Sequence, residues 1–184
     1  SNGQKVMESA SKSLVPITLE LGGKSPVIMD ETCDLATSAT RIMRGKTVNA
    51  GQICIAPDYM MMPKGKVEDF INESEKAVGY MFPDIKYNEN YTSIVNEKHF
   101  ERINHLIDDA KEKGAEIRTI NPSDEDFEQQ EGHKIPPTFV LNHTDDMKIM
   151  QEEIFGPVLT IKEYENLEET IDYVNSKPRP LALY

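Results

Sequence analysis

Cysteine is scarce in this chain: 184 residues hold two, Cys33 and Cys54. Two cysteines cannot make a disulfide scaffold. With no CxxC pair and no Cys/His cluster, the sequence carries no signature of a metal site. A reducing, cytoplasmic compartment is the default for such a chain. Long apolar runs are also missing. None approaches the ~20 residues of a membrane span, and the N-terminal "SNGQKVMESASKS" has no hydrophobic signal core. Its first two residues, Ser1-Asn2, read as a remnant of cloning. Positive charge is in the minority. The formal net charge of −12 argues against partners such as nucleic-acid backbones or anionic membranes. Internal repeats and low-complexity tracts are absent. The histidines, His99, His105, His133 and His143, are scattered. His99 and His105 stand at i and i+6, which are not on one helix face, so no Ser-His-Asp or Cys-His arrangement is legible.

What is present is enough for a folded domain. The hydrophobic fraction of 38% is low, but apolar clusters recur along the chain, unlike a disordered composition. The length suffices for one domain with its own core. Residues 3–13 suit a short helix. "PITLEL", Pro16 to Leu21, alternates apolar and polar and predicts a strand, broken by Gly22-Gly23. "PVIMD", Pro26 to Asp30, predicts a second. Asp34 suits an N-cap, with Leu35, Ala39, Ile42 and Met43 following at helical spacing to about Val48. "YMMMP" predicts a strand and "KVEDFINESEKAVGY" a helix with Val67, Phe70, Ile71 and Val78 on one face. The clearest helix is "NEKHFERINHLIDDAKEKG". Phe100, Ile103, Leu106, Ile107 and Ala110 form its stripe, and Gly114 its stop. "AEIRTI", "PTFVLN" and "PVLTIKEY" predict strands, and residues 121–134 an exposed acidic loop. "NLEETIDYVNSK" predicts a last helix, capped by Asn166 and ended by Pro178 and Pro180. "PLALY" is strand-like. Strands alternating with helices predict an α/β fold, a mostly parallel twisted sheet with helices on both faces. Such sheets commonly carry working residues at the carboxyl ends of their strands.

Three stretches contain groups able to do chemistry. In "VNAGQICIAPDY", Cys54 sits between two isoleucines with no basic neighbour to lower its pKa. Taken alone, it fits a buried structural cysteine better than a nucleophile. Cys33, in "DETCDLA", lies among acidic residues that oppose a thiolate. In "LELGGKSP", Leu19 to Pro26, Glu20 fits an exposed carboxylate before a turn. It also fits a general base beside glycines that let a ligand approach the backbone. "GKSP" lacks the upstream glycine of a phosphate loop and precedes a strand. In "EEIFGPV", Glu152 to Val158, a Glu able to bind a sugar hydroxyl precedes an ordinary Phe-Gly-Pro turn.

In order, "LELGGKSP", "GQICIAPDY" and "EEIFGPV" resemble the aldehyde dehydrogenase superfamily. Glu20 precedes Cys54 by 34 residues, which fits that family's step from base to nucleophile. "SIVNEKHFERI" (Ser93 to Ile103), "PPTFVLN" (Pro136 to Asn142) and "KPRPLALY" (Lys177 to Tyr184) look like the same family. The resemblance therefore covers nearly the whole chain. "NAGQICIAPDY" is most similar to the branch acting on coniferyl and on medium- or long-chain aldehydes.

The resemblance implies an NAD(P)-dependent oxidation of an aldehyde to its carboxylic acid. Cys54 would be the nucleophile, forming a thiohemiacetal and then a thioester, and Glu20 would activate the hydrolytic water and could also accept the thiol proton. Glu153 would bind the nicotinamide ribose of NAD or NADP, and Phe155 would help position the nicotinamide. The backbone of Leu21 and Gly22 would lie near the carboxamide. It further implies that residues 1–21 are the end of a cofactor-binding domain and 22–184 the catalytic domain. The parent would be a homodimer or homotetramer. By the same resemblance, the rest of the cofactor domain would precede residue 1 and a subunit-bridging strand would follow Tyr184. The chain by itself is then expected to be folded but inactive as a dehydrogenase, at most a weak cofactor-independent esterase.

Overall fold

The alternating pattern resolves, in a computed structural model of the chain, into one five-stranded sheet with helices packed on both faces. The structure describes residues 2–130 and 132–184, so Ser1 and Glu131 of the acidic loop lie outside the described residues. The strands are β1 (Ser25–Ile28), β2 (Pro57–Pro63), β3 (Glu116–Thr119), β4 (Thr138–Leu141) and β5 (Val158–Tyr164), in the spatial order β1-β2-β5-β4-β3. β1, β2, β5 and β4 are parallel, with Val27 opposite Met60, Met61 opposite Lys162 and Phe139 opposite Leu159. β3 runs antiparallel to β4 at the edge.

β2 shows why the sheet is covered on both sides. All seven of its residues are buried, and successive side chains enter opposite cores. Met60 and Met62 join Val27, Leu159 and Ile161 beneath α2 (Leu35–Thr47) and α3 (Val67–Met81), which supply Ala39, Met43, Phe70, Ile71 and Val78. Tyr59 and Met61 face the other way, toward Ile103, Leu106 and Ala110 of α4 (Glu97–Glu112). Met147 and Ile149, around α5 (Lys148–Gln151), and Tyr173 of α6 (Leu167–Asn175) complete that side. α1 (Asn2–Lys12) opens the chain.

The helix ends follow from their capping residues. Asp34 accepts from the Thr37 N–H at 2.8 Å, Asn96 from His99 at 3.0 Å and Asn166 from Glu168 at 3.0 Å. Gly114, at φ +95°, ends α4 in a conformation that L side chains rarely adopt.

One expectation fails. Pro16–Leu21 is not a strand. Its alternation suits a strand, but among the described residues no neighbouring strand takes its hydrogen bonds, and Leu14, Val15, Ile17 and Leu21 stand exposed. "PLALY" behaves differently. Tyr184 donates its N–H to Pro26 at 3.0 Å and accepts from Ile28 at 2.9 Å, extending the sheet beyond β1. α5 has no counterpart in the sequence pattern, because a single turn is too short to display a period.

Candidate active site

The three motif stretches meet at one end of the sheet, and it is the amino end. Gly22-Gly23-Lys24 enter β1, Cys54 precedes β2, and Glu153–Gly156 precede β5. The candidate residues thus lie on the loops entering these parallel strands, rather than on those leaving them.

Cys54 is exposed. This removes the reading of it as an apolar filler. The loop that presents it is built from three consecutive left-handed residues: Asn49 (φ 51°), Ala50 (φ 52°) and Gly51 (φ 69°). Such a run persists only where surrounding contacts over-determine it. The Asn49 side chain donates to the Gln52 carbonyl at 3.1 Å, and the Gln52 amide returns a bond to the Asn49 carbonyl at 2.9 Å. The same amide group donates to the Ser93 carbonyl at 3.1 Å and accepts from the Val95 N–H at 3.0 Å. On the far side, the Tyr184 hydroxyl donates to the Ile55 carbonyl at 2.7 Å. Buried Lys46 donates to the Pro57 carbonyl at 2.6 Å. Burial holds the Lys46 ammonium down at about 8, with the nearby Asp58 charge opposing that fall.

Glu153 is half-buried, and its carboxylate lies against Gly22, where a Cβ would run into both oxygens. Burial raises its pKa, while the Gly23 N–H, bonded to the carboxylate, pulls the other way. The glycines of the first motif therefore hold the acid of the third, as a close approach to backbone requires. Beside them lies a cleft of about 240 Å³ lined by Gly22, Gly23, Lys24, Glu153, Tyr173 and Lys177, among others. Phe155 is 39% exposed and left-handed, at φ 49°. The backbone of Gly51 packs directly on the Gly156 carbonyl, so the Cys54 loop and the Glu153 loop touch.

The other candidates are placed less closely. Glu20 is exposed, and no hydrogen bond or ion pair among the described residues joins it to Cys54. Leu21 turns its side chain toward Gly3 of α1. Cys33 is half-buried and lines an apolar groove of about 570 Å³, shared with Val48, Ile53, Ile55 and Tyr184. Among the described residues, no group of three or more His, Cys, Asp or Glu side chains is arranged to hold a metal ion. None of their helices is long and apolar enough to cross a membrane.

Sequence reasoning missed the residues that join the motifs. The Lys24 ammonium pairs with the Asp58 carboxylate and donates to the carbonyls of Ile149 (2.7 Å) and Glu152 (3.0 Å). The second Asp58 oxygen accepts from the Ile154 N–H at 2.8 Å. Arg102 of α4 donates to the carbonyls of Glu153 (3.3 Å) and Ile154 (2.5 Å). Lys24 and Asp58 belong to the first and second motifs themselves. The available signal was that both are charged residues flanked by strand residues that the sheet buries.

The chain as a whole is similar to several known proteins. The probable coniferyl aldehyde dehydrogenase of Caulobacter vibrioides is 55% identical over 184 residues, covering 100% of this chain and 38% of that protein. The substrate-bound AldH of Staphylococcus aureus superposes with a TM-score of 0.88 at 40% identity, over 99% of this chain and 38% of its own. Betaine aldehyde dehydrogenase from S. aureus, solved with NAD+, gives a TM-score of 0.78 at 27% identity, over 93% of this chain and 34% of its own. The chain thus spans under two-fifths of the length of these relatives. The aldehyde dehydrogenase family model matches residues 1–183. With nearly every position inside that match, the chain belongs to the aldehyde dehydrogenase family.

Proposed function

We propose that this chain is the catalytic portion of a longer NAD(P)-dependent aldehyde dehydrogenase, with residues 1–21 the end of the cofactor-binding domain and 22–184 the catalytic domain. The observation that carries the proposal is the meeting of exposed Cys54 with Glu153 and the Gly22-Gly23 turn at one end of the sheet. In this reading, the Cys54 thiolate adds to the aldehyde carbon and forms a thiohemiacetal, whose oxyanion is met by the Cys54 backbone N–H. A bound nicotinamide supplies the hydride acceptor. Loss of the hydride leaves a thioester on Cys54. Glu20 takes a proton from water, the water's oxygen attacks the thioester, and the acid departs as Cys54 regains its thiol. Glu153 fits a hydroxyl-binding role toward the nicotinamide ribose, being a half-buried carboxylate held by a backbone N–H. Phe155 flanks it, and the Leu21-Gly22 backbone lies alongside.

The apolar groove reaching Ile53 and Ile55, on either side of Cys54, supports an apolar or aromatic aldehyde such as coniferyl aldehyde. That substrate also suits the likeness to the Caulobacter protein. A reducing, cytoplasmic setting would keep the thiol unoxidised, and assembly as a homodimer or homotetramer belongs to the same reading. The test is aldehyde oxidation by the whole protein with NAD and with NADP, before and after Cys54→Ala. Loss of reduced cofactor production is expected. Undiminished turnover in the variant overturns Cys54 as the nucleophile.

A further inference from the structure

The segment Ser93–Ile103 takes no part in the chemistry above, yet it touches both loops that do. At its start, the Ser93 carbonyl and the Val95 N–H hold the Gln52 side chain, which braces the Cys54 loop. At its end, Arg102 holds the carbonyls of Glu153 and Ile154. Ile103 seats against Gly156 so closely that a Cβ there would come within 2.6 Å of its Cδ1.

The peptide around Glu153 is fixed at nearly every polar group. Lys24 donates to the Glu152 carbonyl, Asp58 accepts from the Ile154 N–H, and Arg102 supplies both remaining carbonyl partners. This peptide runs directly into Phe155, whose left-handed backbone needs external support. We propose that Arg102 is a positioning residue. By holding the Glu153 and Ile154 carbonyls, its guanidinium aims the Glu153 carboxylate at the nicotinamide ribose, and α4 sets the spacing of that carboxylate from Cys54. This rests on the reading of Glu153 as the ribose-binding group. A lysine cannot serve equally, because its compact ammonium lacks the planar fork that spans two successive carbonyls.

The test uses the whole protein with four variants: Arg102→Met, Arg102→Lys, Glu153→Gln and the double Arg102→Met/Glu153→Gln. Dinucleotide affinity is measured by titration, and Cys54 reactivity by iodoacetamide alkylation without cofactor. Arg102→Met should weaken dinucleotide binding by up to roughly 10²-fold, the scale on which a misplacement of about 1 Å acts, with Arg102→Lys intermediate. The double variant should bind no worse than Glu153→Gln, since both changes remove one function. Alkylation should stay at the parent's rate, because Gln52 still braces the loop. Unchanged affinity in Arg102→Met alongside weakened Glu153→Gln overturns the role of Arg102 and leaves the ribose reading standing. Unchanged affinity in both overturns the ribose reading and the inference with it. Additive losses in the double variant show Arg102 acting apart from Glu153 and also overturn it. If Arg102→Met gives no cooperative melt, Arg102→Lys carries the same comparison.

Discussion

Lys24 and Asp58 form a part-buried ion pair that ties together all three motif stretches. Their side chains are 17% and 3% exposed. Lys24 stands in the Gly-Gly stretch, Asp58 four residues after Cys54, and together they hold Ile149, Glu152 and Ile154 around the Glu153 loop. Removing one partner from such a pair strands the other charge away from water. Asp58→Asn or Lys24→Met should therefore lower the stability of the chain by about 3–5 kcal/mol. The double change Lys24→Met/Asp58→Leu should cost less than the sum of its single changes. Urea denaturation followed by circular dichroism measures each. Additive losses would show that the two charges do not depend on one another.

Glu20 and Cys54 are assigned to separate half-reactions, so their variants should fail differently. Glu20→Gln in the whole protein should keep the first burst of reduced cofactor and slow steady turnover by roughly 10²–10⁴-fold, the usual contribution of a general base. Rapid-quench kinetics separates the two phases. A lost burst would place Glu20 in the attack rather than in hydrolysis.

The 184-residue chain alone offers a simpler test, because ester cleavage needs no hydride acceptor. Exposed Cys54 should give slow hydrolysis of an activated aryl ester, and Cys54→Ala should reduce it to the buffer rate. Equal rates from parent and variant would show that the isolated chain holds no competent thiol.

Gly51 has both a positive φ, 69°, and the Gly156 carbonyl where its Cβ would stand. Gly65 has a similar φ, 80°, but open space around it. Gly65→Ala should cost only the left-handed strain of roughly 1–2 kcal/mol. Gly51→Ala should cost more, because backbone must move, and should alter Cys54 alkylation as well. Thermal melts of both variants provide the comparison; equal losses would exclude the contact as a cause.

His143, which follows β4, is buried, and neither ring nitrogen has a hydrogen-bond partner among the described residues. Burial first, then the Lys162 charge, holds its pKa down at about 4 from a usual 6.5, with Asp145 opposing. The unfolded chain therefore takes up a proton at a pH where the folded chain does not. Stability should fall as pH drops from about 6.5 to about 4 and gain no further loss from this group below that. His143→Leu should flatten this limb of a stability–pH curve. An unchanged slope would assign the acid sensitivity to other groups.

Much of the fold was legible locally. The α4 stripe of Ile103, Leu106 and Ala110, the caps Asp34 and Asn166, and the apolar "YMMMP" each state their structure within a few residues, since periodicity and capping are near-neighbour properties. Pro16–Leu21 departs from its pattern because alternation specifies a strand only where a partner accepts its hydrogen bonds. The candidate site divides in the same way. The identities of Cys54, Glu20 and Glu153, and their resemblance to one family, stand in the sequence. Sequence by itself thus determined which chemistry is available and most of the elements that carry it. The tertiary structure alone decided that Cys54 is exposed, that the motifs gather at the amino end of the sheet, and that Lys24, Asp58 and Arg102 lock them together. Those facts depend on contacts between residues up to 129 positions apart, such as Ile55 with Tyr184, and no local pattern records them.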